Sequence, residues 1–321
     1  AQIAYPGYGF QYMCNIADTG FLGTFQGKQW QKDLKIAEDR TAVLTAQEET
    51  DELDGNILQG MRFLCAEDND LNAEILTELL KIEGAECTIE KVNYDDCVRM
   101  VAEEAKHAER GVVIQDTAWE GYEEIPSWIM QGYSTMADEA VEQFEERPTH
   151  VFVQAGVGSL AGGVVGYFAN KYKKNPPVMV VVEAEPAACL YRGAEAADGE
   201  IRIVDGEMPT IMAGLCCGEP NITSWDILKN HVKVFIAAPD WVAATGMRML
   251  GAPIKGDAPV TSGESGAAPF GALAAVMSMD EYADLRKDIG LDENSRVLLF
   301  STEGDTDPDR YKNIVWKGLD K

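Results

Sequence analysis

The sequence predicts an α/β fold built on a parallel sheet, and three observations carry the prediction. From Met61 onward, short apolar runs alternate with segments of helical period, the pattern of successive β-α units. Val151, Phe152 and Val153 form a continuous apolar run, as a parallel strand covered on both faces requires. That run passes into Gly156, Gly158, Gly162 and Gly163, so Thr149–Gly163 reads as buried strand, glycine turn and helix start.

The glycine turn is the most informative local feature. Without side-chain walls, the N–H groups of Gly156, Val157, Gly158, Ser159 and Leu160 can close on an anion, and a helix starting there adds its positive dipole end. A phosphorylated ligand fits, and no lysine is needed. Two other readings stand beside it. The glycines can serve only a tight turn and close helix–sheet packing. Alternatively, Gly156–Ala161 fits G-x-G-x-x-A, and the next strand, Val178–Val182, ends at Glu183, where a dinucleotide-binding fold places a ribose-binding acid.

Each further element has its own signal. Residues 1–30 are rich in Gly, Tyr and Phe without a clean period, and 37–60 is an acidic, polar stretch that reads as a linker. A strand at 61–66, an acidic turn at Glu67-Asp68-Asn69 and a helix near 71–82 follow, with Gly84 as its cap and a strand at 87–90. Asn93 can cap a helix reaching about Glu109, with Asp95 and Asp96 in its first turn. A strand is expected at Val112–Gln115, and Pro126 suits the first position of a long helix toward Glu146. Then come strand 149–154, helix 159–172 and strand 178–183, later strands at 234–237 and 297–301, and helices near 240–250, 266–278 and 280–289.

Composition narrows the function classes. The chain has 321 residues, enough for a sizeable core in one large domain or two. Its 54 acidic and 27 basic residues leave a net charge of −27, which repels nucleic acid and anionic membrane. Scattered cysteines at 14, 65, 87, 97, 189, 216 and 217, with no C-x-x-C pair, suggest reduced thiols in a cytoplasmic protein. His107, His150 and His231 are isolated, so no histidine metal site and no Ser-His-Asp triad is expected. No apolar run has spanning length and no signal peptide is visible, so no membrane partner is expected.

A set of segments in fixed order then points to one family. They are GAEC at 84–87, NYDD at 93–96, QDTAWEGY at 115–122, IPSWIMQGY at 125–133 and QAGVGSLAGG at 154–163. They continue as IMAGLCCGEPN at 211–221, GMRMLG at 246–251, SGESGA at 262–267 and STEGDTD at 301–307. Over about residues 84–321 the chain resembles the diaminopropionate ammonia-lyases, pyridoxal-phosphate enzymes of the tryptophan-synthase-β kind (fold type II). The resemblance implies the three-layer parallel-sheet architecture of that kind, with an atypical N-terminal part. It implies pyridoxal 5′-phosphate as cofactor, a small amino-acid substrate, a homodimer and α,β-elimination of 2,3-diaminopropionate to pyruvate and ammonia.

The resemblance also assigns residues. Gly156, Val157, Gly158, Ser159 and Leu160 correspond to the phosphate cradle. Asp116 matches an acidic residue that removes or returns the substrate proton, while a bare turn or helix-cap aspartate is its plainer reading. Thr302, or Ser301 beside it, lies where this fold type sets a hydroxyl against the pyridine nitrogen. Glu264 faces the site or caps the following helix, and Trp119 and Tyr122 wall the pocket or belong to the core. No metal ligand is implied.

Two upstream segments of that family do not occur in the sequence: the asparagine/serine-x-phenylalanine-lysine run with the Schiff-base lysine, and a threonine–aspartate–glycine–asparagine–histidine run. Lys28 in FQGKQW is the nearest imitation. Residues 60–89 instead resemble the opening β-α-β of a response-regulator receiver, with Glu67 and Asp68 at its Mg²⁺-binding pair. The organisation expected is therefore an irregular segment and acidic linker at 1–60, a receiver-like piece at 61–90 and a lyase-like domain at 91–321. A serine or threonine dehydratase, a chain that binds cofactor or phosphate without turnover, and a receiver fragment are the other functions weighed.

Overall fold

The computed structural model describes residues 58–66, 70–90, 94–107 and 111–319. They fall into two units, one within 14–113 and one within 114–321. In the first, β1 (Arg62–Ala66) and β2 (Glu86–Glu90) pair in parallel around α1 (Asp70–Ile82), and α2 (Tyr94–His107) packs on β1. Leu76 and Leu80, one turn apart on α1, are buried, and α1 lies on β2. Gly84, at φ +81°, ends the helix as expected: its N–H reaches Lys81 O at 3.0 Å and that of Ala85 reaches Leu80 O at 2.9 Å. Lys28, the 67–69 turn and the Asn93 cap lie outside the described residues.

The second unit is built on a four-stranded, all-parallel sheet. In sequence it runs α3 (Glu124–Gln143), β3 (His150–Gln154), α4 (Ser159–Tyr172), β4 (Val178–Ala184), α5 (Cys189–Ala196), α6 (Ile222–His231) and β5 (Val232–Ala238). It continues with α7 (Asp240–Gly251), α8 (Glu264–Ser278), α9 (Ala283–Ile289), β6 (Val297–Leu299) and α10 (Pro308–Val315). The strand order is β5-β4-β3-β6, so β3 lies between β4 and β6.

Residue parity sorts the core. Phe152, Val180 and Val182 share one face and pack with Ala243, Met247, Ala268 and Ala272 of α7 and α8. On the other side α4 lies against β3 and is flanked by α3 and α6, giving the three layers expected of this fold class. Val151, Phe152, Val153, Val180, Val181 and Val182 are all fully buried, and each such side chain contributes about 1.5–3 kcal/mol. His150 sits in the same strand; its Nε2 donates to Ile289 O at 2.9 Å, which locks a structural histidine to the end of α9.

Several boundaries depart from the sequence reading for identifiable reasons. Val112–Gln115 joins no ladder. There the Gln115 side chain bonds the backbone of Thr117 through both amide ends, and Tyr122 Oη accepts from Gln115 N at 3.1 Å. Local side-chain bonds thus displace a strand. The helix expected from Pro126 starts at Glu124, because a proline anywhere in the first turn forfeits no intrahelical bond. The helix expected over 280–289 is a 3₁₀ turn at Asp280–Tyr282 followed by α9, and the ladder expected over 297–301 stops at Leu299. Helices α5, α6 and α10 were not anticipated.

Candidate functional site

Parallel strands bring their carboxyl ends to one edge of the sheet, where ligands of open α/β folds bind. β3 ends there at Gln154 and passes through Ala155 into the glycine turn, with Gly158 at φ +101° as the N-cap of α4. Few non-glycine residues adopt that conformation, and a Cβ on Gly158 would lie 2.7 Å from Ser224 Oγ. The N–H groups of Gly156, Val157, Gly158, Ser159 and Leu160 have no hydrogen-bond partner among the described residues. Gly156 and Leu160 are half-buried and the three between are buried. Orphan amides at a helix start, converging with the helix dipole, fit a phosphate group.

A polar network fixes this turn. Asn221, fully buried, caps α6 by accepting from Ser224 N at 3.0 Å, and its own N–H donates to Val157 O at 2.9 Å. Its Nδ2 donates to Asp116 O at 2.6 Å and to Ser159 Oγ at 2.9 Å. Ser159 Oγ in turn donates to Asp116 O at 2.7 Å, so the serine hydroxyl is engaged within the chain and its amide is what stays open. The network joins Asp116 to the turn. The Asp116 carboxylate is buried and accepts from Tyr133 Oη at 3.4 Å.

Around Asp116, Trp119 and Tyr122 stack on one another with ring centroids 4.4 Å apart across a tight turn at Gly121. Burial pushes the Tyr122 hydroxyl up to about 12, helped by the Asp116 charge and opposed by its bond to Gln115, so it stays protonated. Tyr122 is therefore a neutral hydroxyl at working pH.

Beyond β6, Ser301 Oγ donates to Ser262 Oγ at 2.9 Å, whereas Thr302 Oγ1 meets Gln154 Nε2 at 2.6 Å. Glu264 stands first in α8 without capping it, and it pairs with Arg310 Nε at 3.4 Å. The cap role weighed for Glu264 belongs to Glu303, whose Oε2 accepts from Ser265 N at 2.6 Å and Gly266 N at 3.1 Å. Ser265 Oγ is buried with no hydrogen-bond partner, and a Cβ on Gly214 would approach it to 3.1 Å.

Glu183 disposes of the dinucleotide reading. Its carboxylate accepts from Leu190 N at 2.8 Å and Tyr191 N at 2.7 Å, at the start of α5. It is 1% exposed, and burial pushes it up to about 8 against the pull of those N–H groups. An acid committed to its own chain cannot also hold a ribose.

Asn221, Gln154, Glu303, Ser265 and Tyr133 escaped assignment from sequence. Asn221 alone left a usable sign, a capping residue before an apolar helix with Ser224 three positions on. Among the described residues there is no cluster of three or more His, Cys, Asp or Glu able to hold a metal. Nor is any described helix long and apolar enough to cross a membrane.

Known proteins resemble this arrangement. The chain is 52% identical to the diaminopropionate ammonia-lyase of Salmonella typhimurium over 249 residues, which is 76% of this chain and 61% of that protein. It is 50% identical to the Escherichia coli K12 enzyme over 238 residues, 73% of this chain and 59% of that one. The chain thus spans about three fifths of the length of these curated relatives. A crystal structure of diaminopropionate ammonia-lyase from E. coli, in complex with an aminoacrylate-PLP azomethine reaction intermediate, superposes with a TM-score of 0.69 at 41% identity, over 81% of this chain and 72% of that one. The pattern of the family described as "Pyridoxal-phosphate dependent enzyme" matches residues 68–302, which takes in most of the segment that resembles a receiver. With that match laid over the strand, turn and helix described above, the chain belongs to the pyridoxal-phosphate dependent enzyme family.

Proposed function

We propose that this chain is a pyridoxal-phosphate ammonia-lyase that eliminates ammonia from 2,3-diaminopropionate, water then displacing the second amino group as ammonia to leave pyruvate. The observation that carries the proposal is the unpartnered amide row of Gly156–Leu160, tied through Ser159 and Asn221 to Asp116. The similarity to diaminopropionate ammonia-lyases supplies the substrate.

Bound pyridoxal phosphate supplies an electron sink for the charge left on the substrate Cα as its proton departs and the β-amino group leaves. The chain's own residues do the rest. The turn amides hold the phosphate, and the Asp116 carboxylate takes or returns the proton, steadied by Tyr133 at 3.4 Å. Thr302 presents its hydroxyl to the ring nitrogen. A neutral hydroxyl there leaves that nitrogen unprotonated, which suits elimination over transamination. By the same resemblance the active form is a homodimer, which light scattering of the purified chain tests; the scattered cysteines favour the cytoplasm.

Release of the keto acid, pyruvate from 2,3-diaminopropionate or serine and 2-oxobutyrate from threonine, tests the reaction and its specificity. Asp116→Asn is expected to lower kcat by about 10²-fold or more with pyridoxal phosphate affinity unchanged. Undiminished turnover in that variant removes Asp116 from the mechanism. Borohydride reduction followed by mass spectrometry identifies the lysine that holds the cofactor.

A further inference from the structure

Gln154 ends β3 on the same face as Phe152 and is 2% exposed. Its side-chain orientation is dictated by its neighbours. The Phe300 carbonyl can only accept, so the amide end 3.2 Å from it is the NH₂ group. That same nitrogen lies 2.6 Å from Thr302 Oγ1. An amide nitrogen has no acceptor to offer, so the threonine oxygen must receive this bond. The Thr302 hydrogen is thereby turned away from Gln154 and left for another acceptor. Ser301 beside it is engaged with Ser262 at 2.9 Å. The other end of the Gln154 amide, Oε1, is buried without any partner, an acceptor left over for a donor on a ligand.

From this geometry we propose that Gln154 is a positioning residue for the cofactor: it fixes Thr302, and not Ser301, as a hydrogen-bond donor to the pyridine nitrogen and so holds that nitrogen unprotonated. The inference rests on the reading of Thr302 given under the proposed function. Donation by Gln154 Nε2 decides the direction of the hydroxyl. A protonated ring nitrogen would need Thr302 to accept a second hydrogen bond and leave its own hydrogen without a place.

The test is a double-mutant cycle in pyridoxal phosphate affinity, followed by fluorescence titration, with NMR of ring-nitrogen-labelled pyridoxal phosphate on the unaltered chain. Gln154→Met is expected to weaken binding about tenfold, and by less than about twofold when Thr302 is already Val. Equal loss in both backgrounds overturns the proposal and leaves the reading of Thr302 standing. Thr302→Val with unchanged affinity overturns both. If Gln154→Met does not fold, the NMR measurement decides: an unprotonated nitrogen signal at neutral pH is expected, and a protonated one overturns the proposal.

Discussion

The starts of α4, α5, α6 and α8 differ in what meets their first amides. At α5 the N–H groups of Leu190 and Tyr191 are taken by Glu183; at α8 those of Ser265 and Gly266 are taken by Glu303; at α6 the Ser224 N–H is taken by Asn221. At α4 the cap is Gly158, which has no side chain to give, and the amides from Gly156 to Leu160 have no partner among the described residues. The macrodipole is the same physical device at every one. What differs is whether the chain supplies the acceptor or leaves the amides open for one, and that difference, more than the glycines alone, supports the ligand-binding role proposed for α4.

Substitutions at the four helix starts should therefore separate binding from stability. Gly158→Val has the largest expected effect, because it combines a forbidden φ with a Cβ 2.7 Å from Ser224 Oγ. Pyridoxal phosphate affinity should fall by more than about 100-fold and stability by about 3 kcal/mol. A titration giving native affinity would make the turn merely structural. Asn221→Ala removes a cap and leaves Asp116 O and Ser159 Oγ without that donor, so urea unfolding should report a loss of about 2–4 kcal/mol. Glu303→Gln should cost about 1–2 kcal/mol and leave cofactor affinity within about twofold, since its amides already have an acceptor inside the chain.

Glu183 gives the most distinctive pH profile. Its folded pKa, about 8, stands above the ordinary value of 4.5. The raised pKa favours the folded state while the group is protonated. That contribution is complete below about 4.5 and is lost as pH rises through 8, with a slope of at most about 1.4 kcal/mol per pH unit. Denaturation midpoints measured across this window should drift downward for the native chain and run flatter for Glu183→Gln. An unchanged profile in the variant would mean that the carboxylate is already ionised by the α5 amides.

What could be read from sequence follows the same physical divide. The β3–turn–α4 segment was legible because a doubly covered parallel strand must be continuously apolar and its glycines stand in a row. The α1 boundary was legible because Gly84 carries its own left-handed geometry. The 112–115 segment misled because Val112 and Val113 look like a strand while Gln115, two residues later, ties up the backbone in a turn. Glu183 was placed correctly at the end of its strand but misread, since only three dimensions reveal that Leu190 and Tyr191 fold back onto it. Gln154 and Glu303 are silent in sequence for the same reason: their partners lie 146 and 148 residues away for one, and 37 and 38 for the other.

The function proposed above requires main-chain amides at the start of α4 to bind the phosphate of the cofactor. The direct measurement is the affinity of the chain for pyridoxal phosphate against pyridoxal, which lacks the phosphate but keeps the ring and aldehyde. Several charge-assisted hydrogen bonds predict that pyridoxal phosphate binds at least about 100-fold more tightly. Equal affinities for the two would contradict the claim.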